Sequence, residues 1–584
     1  MARLKPPQLR RLLPYLERHK RGLAWGIGCL LLTTALSVAG PWVLRYAIDD
    51  LTRQISREKL FLYAGLILAL ALLEGFFRYW MRMVLIGLSR EIEYELRNDL
   101  FRHLARQSAR YYHAQRIGDI MSRATNDMSA VRMVLGPGIM YTANTLATFA
   151  GSVTLMFRIS PSLLGLSLAP LLFVSFLVRY FGRRIHDRFE KVQEQLANIN
   201  ALVQENLAGA RVVRAYAQED AERRRFEEAN LEHMRRNREL IKMFGSLYPG
   251  IQLFMGAGVI LVLWLGGRMV VSGAITLGSF VAFGAYVAML HWPMIALGWV
   301  VNLFERGEAS MGRIGEILDA EPEIRDEEKG PVAAIRGDVE FRRLSFGYGD
   351  APVLHEIDLR VPNGTTVAIV GPTGCGKSTL VSLIPRLFDA PEGMLFVDDH
   401  DVRRVPLATL RGAIGFVPQE TFLFSESVKE NIAFGLGVRG DGRVEWAAKT
   451  AQLAKDVAGF PKGYETFVGE RGITLSGGQK QRTAIARALA TDPKILILDD
   501  ALSSVDTETE EDILRGLHAV MKTRTTFLVS HRISTVKEAD LIVVLREGRI
   551  VERGTHDELV ARGGFYADLN RRQLLEREME QETA

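Results

Sequence analysis

Apolar residues crowd the first half of this chain. Stretches free of Asp, Glu, Lys and Arg run over 22–44, 133–157, 159–178, 243–267 and 269–304. A helix needs about 20 apolar residues to cross the ~30 Å hydrocarbon core of a bilayer. The last stretch is broken at Ser272-Gly273, which places a span after the break, from about 278. One more span starts cleanly at 60–73 and then carries Glu74, Arg78 and Arg82. The pattern therefore predicts six membrane helices, at about 22–44, 60–88, 133–157, 159–180, 243–267 and 278–304.

The segments between spans alternate in length. Those at 158–161 and 268–277 are tiny, whereas 89–132 and 179–242 are long, charged and periodic. The long ones read as helical extensions of their spans. At ~1.5 Å per residue they would project tens of ångströms beyond the membrane. The N-terminus carries Arg3, Lys5, Arg10, Arg11, Arg18, Lys20 and Arg21. The positive-inside rule puts this segment and the long loops on the cytosolic face, with both termini cytoplasmic. A soluble bundle of long buried helices is the competing reading, and so many clean runs of this length argue against it.

A charged linker at 320–338 separates this first domain, 1–319, from a second at 339–584. There the long apolar runs stop, and short β-branched runs alternate with amphipathic stretches, as in a soluble α/β domain. The predicted fold is membrane α-helical, six transmembrane helices with long cytosolic extensions, followed by a soluble α/β P-loop NTPase domain.

Composition changes this picture little. At 584 residues the chain is too long for one domain. Its hydrophobic fraction of 48% is within reach of a soluble protein, so the distribution decides. A net charge of +5, scattered along the chain, makes no case for nucleic acid. The two cysteines, Cys29 and Cys375, form no disulfide framework or zinc spacing. No small-residue cleavage site follows 22–44, so that run is expected to be retained, as one span of a multi-pass membrane protein.

The chemistry lies in the second domain. Thr366–Val370 reads as a strand buried on both faces. It leads into Gly371-Pro372-Thr373-Gly374-Cys375-Gly376-Lys377-Ser378-Thr379, which fits the P-loop pattern G-x-x-x-x-G-K-[ST]. Glycines there let backbone N–H groups wrap phosphate oxygens, Lys377 neutralises phosphate charge and Ser378 holds Mg²⁺. A second buried strand ends in Asp499, a further oxygen ligand for Mg²⁺. Between them Leu475-Ser476-Gly477-Gly478-Gln479 opens an amphipathic helix. Taken alone this is an ordinary helix cap; beside the two phosphate motifs it is an anion site. Cys375, inside the cradle and two residues from Lys377, is expected to be a reactive thiol that nucleotide would shield from alkylation.

These motifs, with a strand at 525–530 ending in His531, resemble the ATP-binding cassette family over the whole chain. The resemblance implies ATP and Mg²⁺ as cofactors. It implies that Tyr348 stacks on adenine, and that Gln419 joins the metal and catalytic group beside His531. By the same likeness Ser476, Gly477, Gly478, Gln479 and Asp506 contribute to nucleotide binding. Thr466–Gly472 resembles a segment of exporters that meets coupling helices, which would lie near 110–118 and 211–220. Two cassettes would pair head to tail, each ATP lying between one P-loop and the other chain's Leu475–Gln479 helix.

One position departs from the family. Where the catalytic glutamate belongs, directly after Asp499, stands Asp500. Its carboxylate sits about 1.5 Å back, one C–C bond shorter. That predicts a degenerate site. With the rest of the cassette intact, the chain resembles the degenerate-site half of heterodimeric multidrug exporters, and the resemblance implies a non-identical partner half-transporter that carries Glu at this place. A conservative substitution that still works slowly is the other reading.

Glu74 and Arg78, at i, i+4 in a span, are candidate substrate-path residues, or else a mutually neutralised structural pair. His291 and Trp292, beside a kink at Pro293, are further candidates, although aromatics also pack helices. The expected function is ATP-driven export of hydrophobic or amphipathic small molecules, drugs or lipids, by alternating access within the lipid membrane. A nucleotide-gated channel or regulatory sensor on the same scaffold, or a homodimeric flippase, are the alternatives.

Overall fold

In the computed structural model, residues 7–326, 334–349, 351–437, 442–469, 472–503 and 507–583 are described. The chain divides into two compact units. Unit one is Met1–Ala105 with Ile117–Ala320, and unit two is Arg106–Arg116 with Glu321–Ala584. A segment of eleven residues inside the first long loop thus belongs to the second unit, which periodicity gave no hint of.

Unit one is helical. Its long helices are α1 (Lys20–Arg53), α2 (Arg57–Leu104), α3 (Ile139–Ile159), α4 (Pro161–Ala208), α5 (Glu219–Val271), α6 (Leu277–Met289) and α7 (His291–Leu318). Among the described residues α1, α2 and α5 are long and apolar enough to cross a membrane on length and composition alone. The 48 residues of α2 reach about 72 Å at ~1.5 Å each, over twice a bilayer core. Local chemistry sets the ends. Ser160 caps α4 by accepting from Leu163 N–H, and Pro161 takes the first position, where a missing N–H costs nothing. Thr276 caps α6, and the Asp49 carboxylate of α1 accepts from Gly278 N–H at 2.8 Å. The stretch 278–304, expected as one helix, is two. Pro293 cannot donate to the Met289 carbonyl, and the helix stops at Met289 and restarts at His291.

Unit two holds two sheets. Strands β1 (Val339–Tyr348), β2 (Ala351–Val361), β4 (Leu395–Val397) and β5 (His400–Asp401) form an antiparallel sheet in the order β2-β1-β4-β5. Strands β3 (Thr366–Val370), β6 (Ile414–Val417), β7 (Ile495–Asp499), β8 (Thr525–Val529), β9 (Leu541–Arg546) and β10 (Arg549–Gly554) form the other, in the order β10-β9-β3-β8-β7-β6. All its pairings are parallel except β9–β10. Every residue of β3, β7 and β8 is buried, as continuous apolar runs at the centre of a covered parallel sheet should be. Each fully buried Val, Ile or Leu there stabilises by roughly 1.5–3 kcal/mol. Because these neighbours run parallel, Val370, Asp499 and Val529 all end at one edge of the sheet. Ligands of open α/β sheets bind at that edge.

Candidate functional site

The P-loop leaves β3 and enters a short helix, α8 (Lys377–Leu383), at that edge. Its turn needs glycine. Gly371 has φ +150° and a Cβ there would lie 2.1 Å from the Leu545 carbonyl oxygen; Gly376 has φ +100° and would meet Leu354 at 2.8 Å. Lys377 Nζ donates to the carbonyls of Gly371 and Pro372 at 2.8 Å each. Ser378 Oγ donates to Asp499 Oδ1 at 3.0 Å, linking the loop after β3 to the end of β7.

These groups surround a cavity of about 590 Å³. Gly371, Thr373, Gly374, Gly376, Lys377, Ser378 and Thr379 line one side. Gln419, Asp499, Asp500, Ser530 and His531 line the rest. Burial pushes the Asp499 carboxyl above its usual range, and the neighbouring Asp500 adds to this, while the Ser378 hydroxyl and Lys377 oppose it. A buried carboxylate beside a hydroxyl is a hard oxygen donor set that fits a small divalent cation such as Mg²⁺. Asp500 has φ +50°, and its Oδ1 lies 3.1 Å from His531 Nδ1. Its N–H donates to Val529 at 2.9 Å, so the end of β8 holds both members of the pair.

Other expected residues lie outside this cavity. Tyr348 stands 41% exposed, its hydroxyl 3.3 Å from Thr379 and its ring edge-on to Phe388. Ser476 and Gln479 close a capping box at the head of helix α9 (Gly477–Ala490). Gln479 and Arg482 are held by Asp456, and Arg487 donates to the Asn431 and Phe422 carbonyls. Ser476 and Gly477 are exposed, and none of Ser476–Gln479 lines the cavity. Asp506, and Glu470 and Arg471 of the exporter-like segment, lie outside the described residues. Of the two expected coupling segments, the short helix Ala109–Ala114 is in unit two, where Arg110 pairs with Glu323 at 3.0 Å. The other, Ala210–Ala215, is in unit one.

Cys375 corrects one expectation. Its thiol is 6% exposed and packs in the apolar core beneath the loop, off the cavity lining. Lys377 is 3.9 Å away, but burial shields the sulfur from a polar alkylating agent.

In unit one, Arg78 and Trp292 line a second cavity, of about 330 Å³. Glu74 pairs with Arg78 and is not part of that lining. His291 opens α7, and its side chain lies outside the described residues. Arg82 and Asn144 also line this cavity. Neither was singled out as a site residue, although the four-residue rhythm of Glu74, Arg78 and Arg82 was visible in the sequence.

A long-helix membrane unit joined to a P-loop unit defines a membrane transport ATPase. The ABC transporter transmembrane region matches residues 23–294, and the ABC transporter domain matches 354–503. The chain is 38% identical over 550 residues to the probable multidrug resistance ABC transporter ATP-binding/permease protein YheI of Bacillus subtilis, covering 94% of each. It is 34% identical to the ATP-dependent lipid A-core flippase of Syntrophus aciditrophicus, covering 97% of this chain and 94% of that one. A solved bacterial Atm1-family ABC exporter with ATP bound superposes with a TM-score of 0.79 at 30% identity, over 95% of this chain and 99% of that one. The chain belongs to the ABC transporter family, in its exporter branch: an ATP hydrolase coupled to export across a membrane.

Proposed function

We propose that the chain is one half of an exporter of amphipathic small molecules, drugs or lipids, and that its partner is a non-identical half-transporter. In this reading α1–α5 supply five spans and α6 with α7 the sixth, and both termini are cytosolic. The multidrug and lipid-flippase names of its relatives support the substrate class.

At the nucleotide site, P-loop N–H groups and Lys377 take the phosphates, and Tyr348 takes the base. Ser378, Asp499 and Gln419 would hold Mg²⁺, which supplies charge neutralisation for the phosphates when bound. His531 orients Asp500 from 3.1 Å. Among the described residues, Asp500 is the cavity carboxylate not assigned to the metal, which leaves it to accept a proton from an attacking water, and it is short. A general base must come within about 2.6–3.2 Å of the proton it takes, and losing one costs about 10²–10⁴ in rate.

The observation that carries the split roles is the pairing of this short base with a complete Ser476–Gln479 helix head. That head is exposed and off the chain's own cavity. The chain would thus lend α9 to a competent site on its partner while its own site binds ATP and turns over slowly. Steady-state ATPase of the purified chain alone, against the chain with its partner, tests this. A slow rate alone and a fast rate together are expected. Fast turnover by the chain alone, abolished by Asp500→Asn, would mean a working homodimer.

A further inference from the structure

Glu74, Arg78 and Arg82 recur every four residues along α2 and so share one face of it. Glu74 is engaged by Arg78 in an ion pair. Arg82 has no hydrogen-bonding or ionic partner among the described residues. Both arginines line the 330 Å³ cavity of unit one, and among the described residues no Asp or Glu does. The hydroxyl of Tyr141 has no hydrogen bond among the described residues, and Thr34 Oγ1 donates to Asn144 Oδ1 at 3.2 Å, which leaves the Asn144 amide hydrogens to spare. Met81, Met140 and Trp292 add apolar wall that adapts to varied chains.

A charged arginine turned toward hydrocarbon is costly, so one within a span faces water or a partner anion. Its planar fork holds a carboxylate or phosphate through two parallel hydrogen bonds. Tyr141 also stacks edge-on with Trp299 at 5.2 Å, and Trp299 lines an adjoining cavity of about 380 Å³. Arg306 lines that cavity, and again no acid does among the described residues. The excess of donors and the absence of acids therefore continue from one cavity into the next.

We infer that this cavity is the head-group subsite of the exported substrate, that it takes an amphiphile bearing a carboxylate or phosphate, and that Arg82 is its specificity-determining cation. The inference rests on the exporter reading and gives Glu74 no place in the cavity lining. Glu74 instead holds Arg78 and leaves Arg82 as the free charge.

The test uses the full chain with its partner, reconstituted in phosphatidylcholine vesicles. Three fluorescent C12 probes are compared that differ only in ending in a carboxylate, a primary amide or an ammonium. The intact exporter is expected to bind the carboxylate at least about tenfold more tightly than the other two, as charge-assisted paired bonds require. Arg82→Gln should remove that preference, and Arg82→Lys should keep part of it. Equal binding of the three probes by the unaltered protein would overturn the inference without any variant having to fold. So would a preference that survives Arg82→Gln. A parallel arm follows ATP-driven movement of fluorescent phosphatidylglycerol: movement identifies a lipid head group as the source of the anion, and movement of the C12 carboxylate alone identifies a free amphiphile. If no probe moves with ATP while the carboxylate preference stands, the exporter reading fails and the anion subsite survives.

Discussion

Aspartate at 500 stops about 1.5 Å short of where a glutamate carboxylate would end. The structure adds that the side chain is largely buried and already turned to His531. Lengthening the arm should restore reach without disturbing either contact of the backbone, Val529 below and Ser503 beside it. In an assembled exporter whose partner site has been silenced, Asp500→Glu is expected to raise residual ATPase about tenfold or more, part of the 10²–10⁴ that a positioned base contributes. Asp500→Asn should leave the residual rate within about twofold, since little base catalysis is there to lose. A rate that collapses with Asn and does not rise with Glu would show that aspartate is already the working base. The identity of residue 500 was plain in the sequence, but its His531 contact was not, because 31 residues separate them.

At the scale of elements, the head of α9 is built to be rigid and presented outward. Its capping box, Asp456 at its first turn and Arg487 at its last are each separate restraints. Burial of the Arg487 guanidinium is deep enough to bring its pKa down to about 10, so it stays charged at neutral pH and keeps its bonds to Asn431 and Phe422. If α9 serves the partner's site, damage there should outweigh damage at this chain's own P-loop. Gly477→Asp, which places a carboxylate where phosphate would dock, is expected to reduce steady-state ATPase of the assembled exporter by about 10² or more, as loss of an anion-stabilising donor does. Lys377→Ala should weaken nucleotide binding at its own loop and leave most turnover. The reverse order of damage in the same assay would rule out the division of labour. The capping box was readable as Ser476 with Gln479 three residues on. The Asp456 and Arg487 restraints were not, because they come from other elements.

At the scale of the whole molecule, the long helices of unit one are held together where they leave the spans. There Asp127 accepts two hydrogen bonds from Arg313 of α7, at 2.8 and 2.5 Å, and a third from Ser310 at 3.0 Å. The Arg313 guanidinium, then Ser310, hold the Asp127 carboxyl below its usual range. A depressed folded-state value means that this contribution is complete above the unfolded value of about 3.9 and is lost as pH falls through the folded one. Because Arg313 is 46% exposed, the pair is worth on the order of 1 kcal/mol and no more. Asp127→Asn should therefore lower the melting temperature at pH 7, and its deficit should shrink as pH drops below about 4. Thermal unfolding in detergent at both pH values checks this, and a deficit independent of pH would mean that packing, not charge, is what the variant loses. What the sequence determined by itself was local: apolar runs long enough to be membrane helices, the P-loop and Walker strands, the cap before α9, and one aberrant carboxylate. Each is written in neighbouring residues, because hydrophobic periodicity and turn chemistry act over a few positions. Only the tertiary structure decided matters of distance. It put Ser378 against Asp499 across 121 residues, sank Cys375 into the core, gave Arg106–Arg116 to the second unit, and left Arg82 with no acid beside it among the described residues. Those outcomes depend on which strands pair and which helix faces meet, and the packing of the whole chain sets both.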